Sequence, residues 1–260
     1  AHRTAKEFAS LAGKLYFVSQ LFPCARAFVM SLSRHSTFVP EPSTMASVIL
    51  PLDVHADLVW WLDLLEHDPP IVSFSDVPVY FSTVFASDAS TARMGAVNWD
   101  AGEMTTDVFT ADEQHDTKIH HREAFALLSA ALQWHNKGSS PCHEGHVTAT
   151  LALTDSFCTA QVLQQHSCRD YRLRLFLQML SILQIVTKSP IIPMHVAGVS
   201  NADADKLSRS TDLPPRLMAF ERPTLPASIF RITQRMLLQW HSGQNPGPDS
   251  HAQLWTTFTR

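Results

Sequence analysis

Four acidic residues stand in separate local contexts whose types and order could build a metal site. They are Asp88 in FASDAS, Glu123 in HHREAFALL, Asp155 in LALTDS and Asp205 in NADADKLSR. The surrounding patterns place them, in turn, at a strand end, on a helix, at a second strand end and on a second helix. Carboxylate oxygens are the ligands that Mg²⁺ prefers, and a pair of such ions can clamp the attacking and leaving oxygens of a phosphodiester. If the four acids converge, the sequence predicts a nuclease.

The elements that must position these acids are predicted in the order βββαβαβα. Strands are expected at 79–87, 94–99, 104–109, 147–154 and 191–196, and helices at 120–136, 156–186 with a break near 166–170, and 201–209. Asn201 is expected to cap the last helix, since Asn is a favoured N-cap residue. Strands interleaved with helices indicate an α/β fold with a mixed sheet.

The segments that carry the four acids resemble the ribonuclease H domain of retroelement reverse transcriptases. The likeness is strongest to the DIRS/Ngaro-like elements, which carry a tyrosine recombinase. The matching segments are SDASTARMGAV, HHREAFALLSAAL, LTDSFCTAQVL and MHVAGVSNADADKLSR, of which the last is the most specific. Ser156 departs from the pattern, because Asn is common at that position. The resemblance implies a ribonuclease H-like fold, with a mixed five-stranded sheet flanked by helices.

The resemblance continues upstream of the acids and implies a division of the chain. LAGKLYFVSQLFPCARAFVMSL and DLVWWLDLLEH resemble the segments between a polymerase palm and the nuclease. We therefore expect a helical thumb- or connection-like segment at 1–70, a ribonuclease H-like domain at 71–211 and a proline-rich linker and tail at 212–260. No Tyr–x–Asp–Asp polymerase motif occurs. The chain is expected to be a piece of a longer polyprotein, whose polymerase portion would be a partner.

The resemblance also implies an activity and a role for each site residue. The activity is hydrolysis of the RNA strand of an RNA–DNA hybrid with two Mg²⁺ or Mn²⁺ ions. Asp88 and Asp155 would bridge both ions, while Glu123 and Asp205 would each help to hold one. His195 would transfer a proton or help the product to leave. These four carboxylates and His195 form the expected catalytic set.

Other interpretations of the same residues stay open. Each acid could serve local structure, by capping a turn or helix or by lying on an exposed helix face. Asp203 competes with Asp205 for the last position, although the Ala–Asp–x–Leu–Ser–Arg pattern favours Asp205. The main alternative function is a catalytically inactive or domesticated module that binds nucleic acid or a protein partner. An integrase-like relative is disfavoured, because no acid lies near position 190.

Composition bounds the environment in which the chain works. Its 260 residues are 45% hydrophobic and carry a net charge of −4, so no large basic surface indicates nucleic-acid binding. Four cysteines without framework spacing indicate a reducing compartment, and we expect a cytoplasmic or nuclear protein. Neither a signal peptide nor an apolar stretch long enough to span a membrane is found.

Three further groups of residues are not assigned a functional role. Cys142, His143 and His146 have no spacing typical of a zinc site. The basic group Arg169, Arg172 and Arg174 is expected to form a solvated helix face. Trp60 and Trp61 are expected to pack in a helical core, and Leu58, Trp61, Leu62 and Leu65 are expected on one face of their helix.

Overall fold

The computed structural model describes residues 5–21, 23–38, 50–66, 79–109, 111–135, 147–187 and 189–211. Their contacts divide them into two units. The first includes the described residues up to 66 together with 166–169, and the second includes 79–165 and 170–211. The expected tail at 212–260 and the cluster around Cys142 lie outside the described residues.

The described residues of the first unit form three α-helices and one short 3-10 helix. They are α1 (Ala5–Val18), the 3-10 helix Pro23–Phe28, α2 (Met30–Phe38) and α3 (Leu52–Glu66). The Trp60 ring stacks on Phe28 with centroids 3.7 Å apart, and Trp61 Nε1 donates to the Phe28 carbonyl at 3.2 Å. The prediction that both tryptophans pack in a helical core is confirmed.

The inner face of α3 differs from the prediction. Leu62 and Leu65 are more than half exposed, whereas Val54 and Leu64 are buried beside Trp61. The helix is apolar around most of its circumference, so its periodicity did not specify one stripe. The bulky tryptophan pair decides the rotation, because burying the largest apolar surfaces stabilises the helix most.

The second unit contains a mixed sheet of five strands. They are β1 (Val79–Ala89), β2 (Arg93–Asn98), β3 (Glu103–Val108), β4 (Val147–Thr154) and β5 (Ile191–His195). Their order across the sheet is β3-β2-β1-β4-β5; β1–β2 and β2–β3 are antiparallel, while β1–β4 and β4–β5 are parallel. The predicted ribonuclease H-like fold, a mixed five-stranded sheet flanked by helices, is confirmed by this topology.

Five helices accompany the sheet in the described part of the second unit. They are α4 (Ala111–Asp116), α5 (Ile119–Trp134), α6 (Phe157–Gln165), α7 (Tyr171–Thr187) and α8 (Ala202–Arg209), the last preceded by a 3-10 turn at Gly198–Asn201. The predicted break between α6 and α7 is confirmed. The six-residue α4 was not predicted, because a segment this short shows no helical period.

Helix α5 is anchored to its neighbours by apolar and polar contacts. Leu127, Leu128 and Trp134 are fully or almost fully buried, while Phe125 is only half-buried. At the end of the helix, the two nitrogens of His135 bond Thr150 Oγ1 at 2.8 Å and Thr187 Oγ1 at 2.7 Å. Burial lowers the pKa of His135 to about 4, so the ring is neutral at pH 7. These contacts fix the helix that carries Glu123.

Helix α8 lies directly against β2 because Gly95 has no side chain. A Cβ added at Gly95 would lie 2.6 Å from Leu207 Cβ and 2.7 Å from both the Ala204 carbonyl oxygen and the Ser208 amide nitrogen. Two of these three neighbours are backbone atoms, which cannot rotate away. Glycine at 95 therefore sets how closely the last helix approaches the sheet.

No helix among the described residues combines the length and apolar character needed to cross a membrane.

Candidate metal centre

Two of the four acids come from neighbouring parallel strands. In the register of β1 and β4, Ser87 lies opposite Thr154, so Asp88 and Asp155 occupy the next position on each chain. Asp88 is buried and Asp155 is partly buried. Because parallel strands end at the same edge of a sheet, hydrogen bonding between β1 and β4 places the two carboxylates side by side.

The third acid reaches the same point from helix α5. Oxygen atoms of Asp88, Glu123 and Asp155 all lie within 4.8 Å of one another. Glu123 is buried, and its Oε2 has no hydrogen-bond partner among the described residues. A buried carboxylate oxygen without a partner is costly. A divalent cation held by the three acids would supply that partner.

The electrostatics of the three acids also fit a cation. Burial and, to a smaller extent, the negative charges of Asp88 and Asp155 together raise the pKa of Glu123 to about 9. Burial likewise raises the pKa of Asp88, opposed by a hydrogen bond from Ser208. Carboxylates that repel one another in a buried place become fully ionised when a cation is bound between them. The residues present therefore fit a divalent metal.

Two polar side chains from the end of the domain contact the strand acids. The Ser208 hydroxyl donates to Asp88 Oδ2. The Asn201 side-chain amide donates to Asp155 Oδ1 at 3.3 Å and to the Ser87 carbonyl at 3.1 Å. The prediction that Asn201 caps α8 is wrong in its chemistry: the residue occupies the N-cap position, but its side chain makes no capping bond.

The fourth predicted acid, Asp205, is not part of the group of three. It lies in the first turn of α8, and its Oδ1 accepts a hydrogen bond from Arg209 Nε at 2.5 Å, one helical turn later. Its charge still contributes to raising the pKa of Asp88. Asp203, the competing candidate, is exposed and accepts a hydrogen bond from Trp99 Nε1 at 3.4 Å. Asp205 is therefore close enough to influence the strand acids, but its carboxylate is paired with Arg209 of the same helix.

His195 lies at the end of β5, opposite Thr154 in the register with β4. Its ring is exposed and meets the ring of Phe157 edge to face, with centroids 5.6 Å apart. Phe157 is itself 64% exposed, although it is a large apolar residue. Sequence reasoning did not single out Phe157; its position two residues after Asp155 was the available signal.

A second group of metal-ligand types is explained by hydrogen bonds. It consists of His120, His121 and Asp170. The Lys118 backbone N–H donates to His121 Nδ1 at 3.3 Å, which leaves the Nε2 proton to be donated to Asp170 Oδ2 at 3.1 Å. Asp170 Oδ1 in turn accepts from two backbone amides in the first turn of α7. His121 therefore accepts a hydrogen bond at the start of its own helix through Nδ1 and joins that helix to the start of α7 through Nε2, so both of its nitrogens serve structure.

The prediction that the basic group forms a solvated face holds only in part, because Arg169 is exposed but Arg172 is partly buried and Arg174 is buried. Arg174 is buried, with its guanidinium 4.9 Å from the centre of the Tyr171 ring. Arg172 donates to the Asp116 carbonyl. Long arginine stems pack readily against apolar surface, so a run of basic residues on a helix does not by itself show exposure.

Ser208 and Gly95 were also missed as contributors to the site. Ala204 and Leu207 mark the buried stripe of α8, and Ser208 continues that stripe as a polar residue. A serine at a buried helical position needs a hydrogen-bond partner. This was the signal in the sequence, but only the packing of α8 shows that the partner is Asp88.

Comparison with solved structures finds similar folds among ribonucleases H1. The enzyme of the halophilic archaeon Halobacterium salinarum NRC-1 is 19% identical, with a TM-score of 0.36, over 48% of this chain and 92% of that chain. LC11-RNase H1, solved in complex with an RNA/DNA hybrid, is 13% identical, with a TM-score of 0.38, over 48% of this chain and 93% of that chain. No protein-family model and no curated protein matches the chain.

Proposed function

We propose that this chain is an endoribonuclease that cleaves the RNA strand of RNA–DNA hybrids, acting as part of a retroelement reverse transcriptase. The observation that carries the proposal is the convergence of Asp88, Glu123 and Asp155, whose ligand atoms lie within 4.8 Å of one another. Three acids from two strands and a helix do not gather in a buried place without a cost in repulsion. A bound divalent cation would offset this repulsion, as a metal-dependent reaction requires.

The proposed cofactor is a pair of Mg²⁺ or Mn²⁺ ions. Asp88, Glu123 and Asp155 would hold them, and Asp205 could join when its carboxylate leaves Arg209. Oxygen-only ligands favour these hard cations over zinc. When bound, the ions supply an activated water and stabilisation of the departing oxygen.

The chain's own residues would position the substrate at the metal centre and exchange protons with it. Through the metal that they would hold, the carboxylates of Asp88 and Asp155 would determine where the scissile phosphate binds. His195, which is exposed on the adjoining strand β5, would exchange a proton with solvent or with the departing product. Hybrid recognition would rest on the shape of the duplex and on the 2′-hydroxyl groups of the RNA strand.

The choice of a hybrid substrate and of a retroelement context comes from the motif resemblance. SDASTARMGAV and MHVAGVSNADADKLSR together supply Asp88, His195 and Asp205. The net charge of −4 provides little attraction for a polyanion. A polymerase portion of the same polyprotein would supply the missing basic surface.

A second candidate function is a protein-interaction module that has lost or never uses the nuclease chemistry. Exposed apolar residues in the first unit favour it: Phe17 is 69% exposed, Leu62 57% and Leu65 53%. Such residues can form a contact surface for another protein. The two candidates differ in whether the full chain cuts a hybrid at all.

The test is a cleavage assay with the full chain and a hybrid labelled on either strand, with Mg²⁺ or Mn²⁺. We expect metal-dependent cutting of the RNA strand only, abolished by EDTA and by Asp155→Asn. The matched control is Asp203→Asn, which removes an exposed acid in the same domain and should leave cutting unchanged. A folded wild-type chain that leaves the RNA strand intact would contradict the nuclease and favour the interaction module.

A further inference from the structure

The end of the nuclease-like domain contacts both strand acids through neutral polar groups. Asn201 bonds Asp155, and Ser208 bonds Asp88. Both contacting residues are completely buried. Neither could be a strong metal ligand in place of an acid, yet both touch atoms that would bind the cation.

The orientation of the Asn201 amide is fixed by its partners. Its nitrogen lies 3.1 Å from the Ser87 carbonyl oxygen and 3.3 Å from Asp155 Oδ1, and both atoms can only accept. The NH₂ group must therefore face them, and each of its two protons has one acceptor. Ser87 directly precedes Asp88, so this single amide ties β1 to the carboxylate that follows β4.

The Ser208 hydroxyl is shared between two acceptors. It lies against Asp88 Oδ2 and is 2.9 Å from the Asp205 carbonyl oxygen. A hydroxyl has one proton, and an ionised carboxylate is the stronger acceptor. With Asp88 ionised, the proton goes to Asp88 and restrains the rotation of its carboxylate.

The docking of α8 determines whether Ser208 can reach Asp88. The helix lies so close to β2 at Gly95 that an added Cβ would be 2.7 Å from the Ser208 backbone nitrogen. The backbone that carries the Ser208 hydroxyl is therefore held close to the sheet by packing. A bond of this kind can hold a ligand in a fixed orientation before the metal arrives.

We propose that Asn201 and Ser208 are positioning residues that hold the carboxylates of Asp155 and Asp88 in the orientation that binds a divalent cation. This inference rests on the proposed function, because it assumes that the acids bind metal. It adds that α8 and the 3-10 turn before it contribute neutral side chains, with one hydrogen bond to each strand acid. Ser208 reaches Asp88 only when α8 packs against β2.

The test measures Mn²⁺ alone, by isothermal titration calorimetry on the full chain, without nucleic acid. Partners of ligating residues typically contribute a factor of about 10 to 100 in metal affinity. We expect Ser208→Ala and Asn201→Ala each to weaken the Mn²⁺ Kd by about that factor, and Ser208→Thr, which keeps the hydroxyl, to recover part of the loss.

Two matched controls separate positioning from a general loss of stability. Ser181 is a completely buried helical serine whose hydroxyl donates to the Leu177 carbonyl at 2.7 Å. Asn98 is a buried asparagine whose side chain accepts from the Ala101 amide at 3.2 Å. Ser181→Ala and Asn98→Ala should lower the Tm measured in EDTA as much as the test variants, but leave the Mn²⁺ Kd unchanged.

The outcomes separate this inference from the proposed function. If Ser208→Ala and Asn201→Ala lower the Tm but keep the wild-type Kd, both residues are only structural and the inference is overturned. If the wild type binds Mn²⁺ and the two variants bind it weakly, the inference holds even in a chain that does not cut a hybrid. A wild type that binds no Mn²⁺ at millimolar concentration overturns both.

Discussion

The sheet and the last helix contribute acids to the same region in different ways. Asp88 and Asp155 follow paired positions of two parallel strands, so the backbone ladder sets their separation. Asp205 extends from an eight-residue helix, has a side chain 38% exposed and is bonded to Arg209. The sheet therefore fixes the backbone positions of Asp88 and Asp155, whereas the exposed Asp205 side chain is paired with a basic residue of its own helix.

The last helix nevertheless contributes to the site through residues that carry no charge. Ser208 reaches Asp88 from the buried face of α8, while Asp205 lies nearer the solvent side. A buried hydrogen bond is shielded from water and holds its geometry more firmly than a surface ion pair. The comparison therefore predicts unequal consequences when each kind of residue is changed.

The largest expected effect is on the strand acids. Asp155→Asn should lower kcat for hybrid cleavage by about a thousandfold or more, since several kcal/mol of charge stabilisation by the metal would be lost. Asp205→Asn should lower it by about tenfold at most, because that carboxylate is outside the group of three. Single-turnover cleavage rates at saturating Mn²⁺ measure both, and equal losses would show that the helix acid is a full ligand.

The next effect concerns stability without metal. Glu123 has a pKa of about 9 in the folded protein, against 4.5 as the ordinary value. The unfolded chain releases this proton near pH 4.5, whereas the folded chain keeps it up to about pH 9. The contribution of Glu123 to stability is therefore complete below pH 4.5 and is lost as the pH rises toward 9.

We therefore expect Glu123→Gln to be more stable than wild type in EDTA at pH 8, by about 1–3 kcal/mol. At pH 5 the two proteins should be nearly equal, because wild-type Glu123 is protonated in the folded state. Urea unfolding at the two pH values measures the difference. Added Mn²⁺ should reverse the order at pH 8 by stabilising only the wild type. A Glu123→Gln variant that is less stable in EDTA at pH 8 would contradict the shifted pKa.

The smallest expected effect is on His195. Its ring is exposed on β5 and touches Phe157, so solvent water competes with it for any proton. His195→Ala should lower turnover by about tenfold, below the range usual for an essential acid or base. The Mn²⁺ Kd should not change. Loss of Mn²⁺ binding in this variant would mean that the ring helps to maintain the metal site and does not act in proton transfer.

Much of this domain could be predicted from the sequence because its strands have strong local signals. The β-branched run at Val147–Thr154 and the turn around Gly102 mark their elements directly, and Gly102 has the positive φ of 64° that favours glycine. The strand-end positions of Asp88 and Asp155 follow from the same signals. Parallel strands carry their final residues to one edge, so these two acids could be expected to meet.

The remaining features depend on contacts between distant parts of the chain. The chain positions of Asn201 and Ser208 do not reveal that they face Asp155 and Asp88, because that requires knowing how closely α8 approaches β2. Local chemistry favoured Asn201 as a helix cap, and a tertiary hydrogen bond replaced that role. Asp205 shows the reverse case. Its motif position was clear, but Arg209 one turn later determines its nearest partner.

The most direct measurement is an anomalous-difference map from crystals of the full chain grown with Mn²⁺. We expect Mn²⁺ density at coordination distance from carboxylate oxygens of Asp88, Glu123 and Asp155, with the Ser208 bond to Asp88 retained. Mn²⁺ density at other residues only, with these three carboxylates free of metal, would show that they do not form the metal centre.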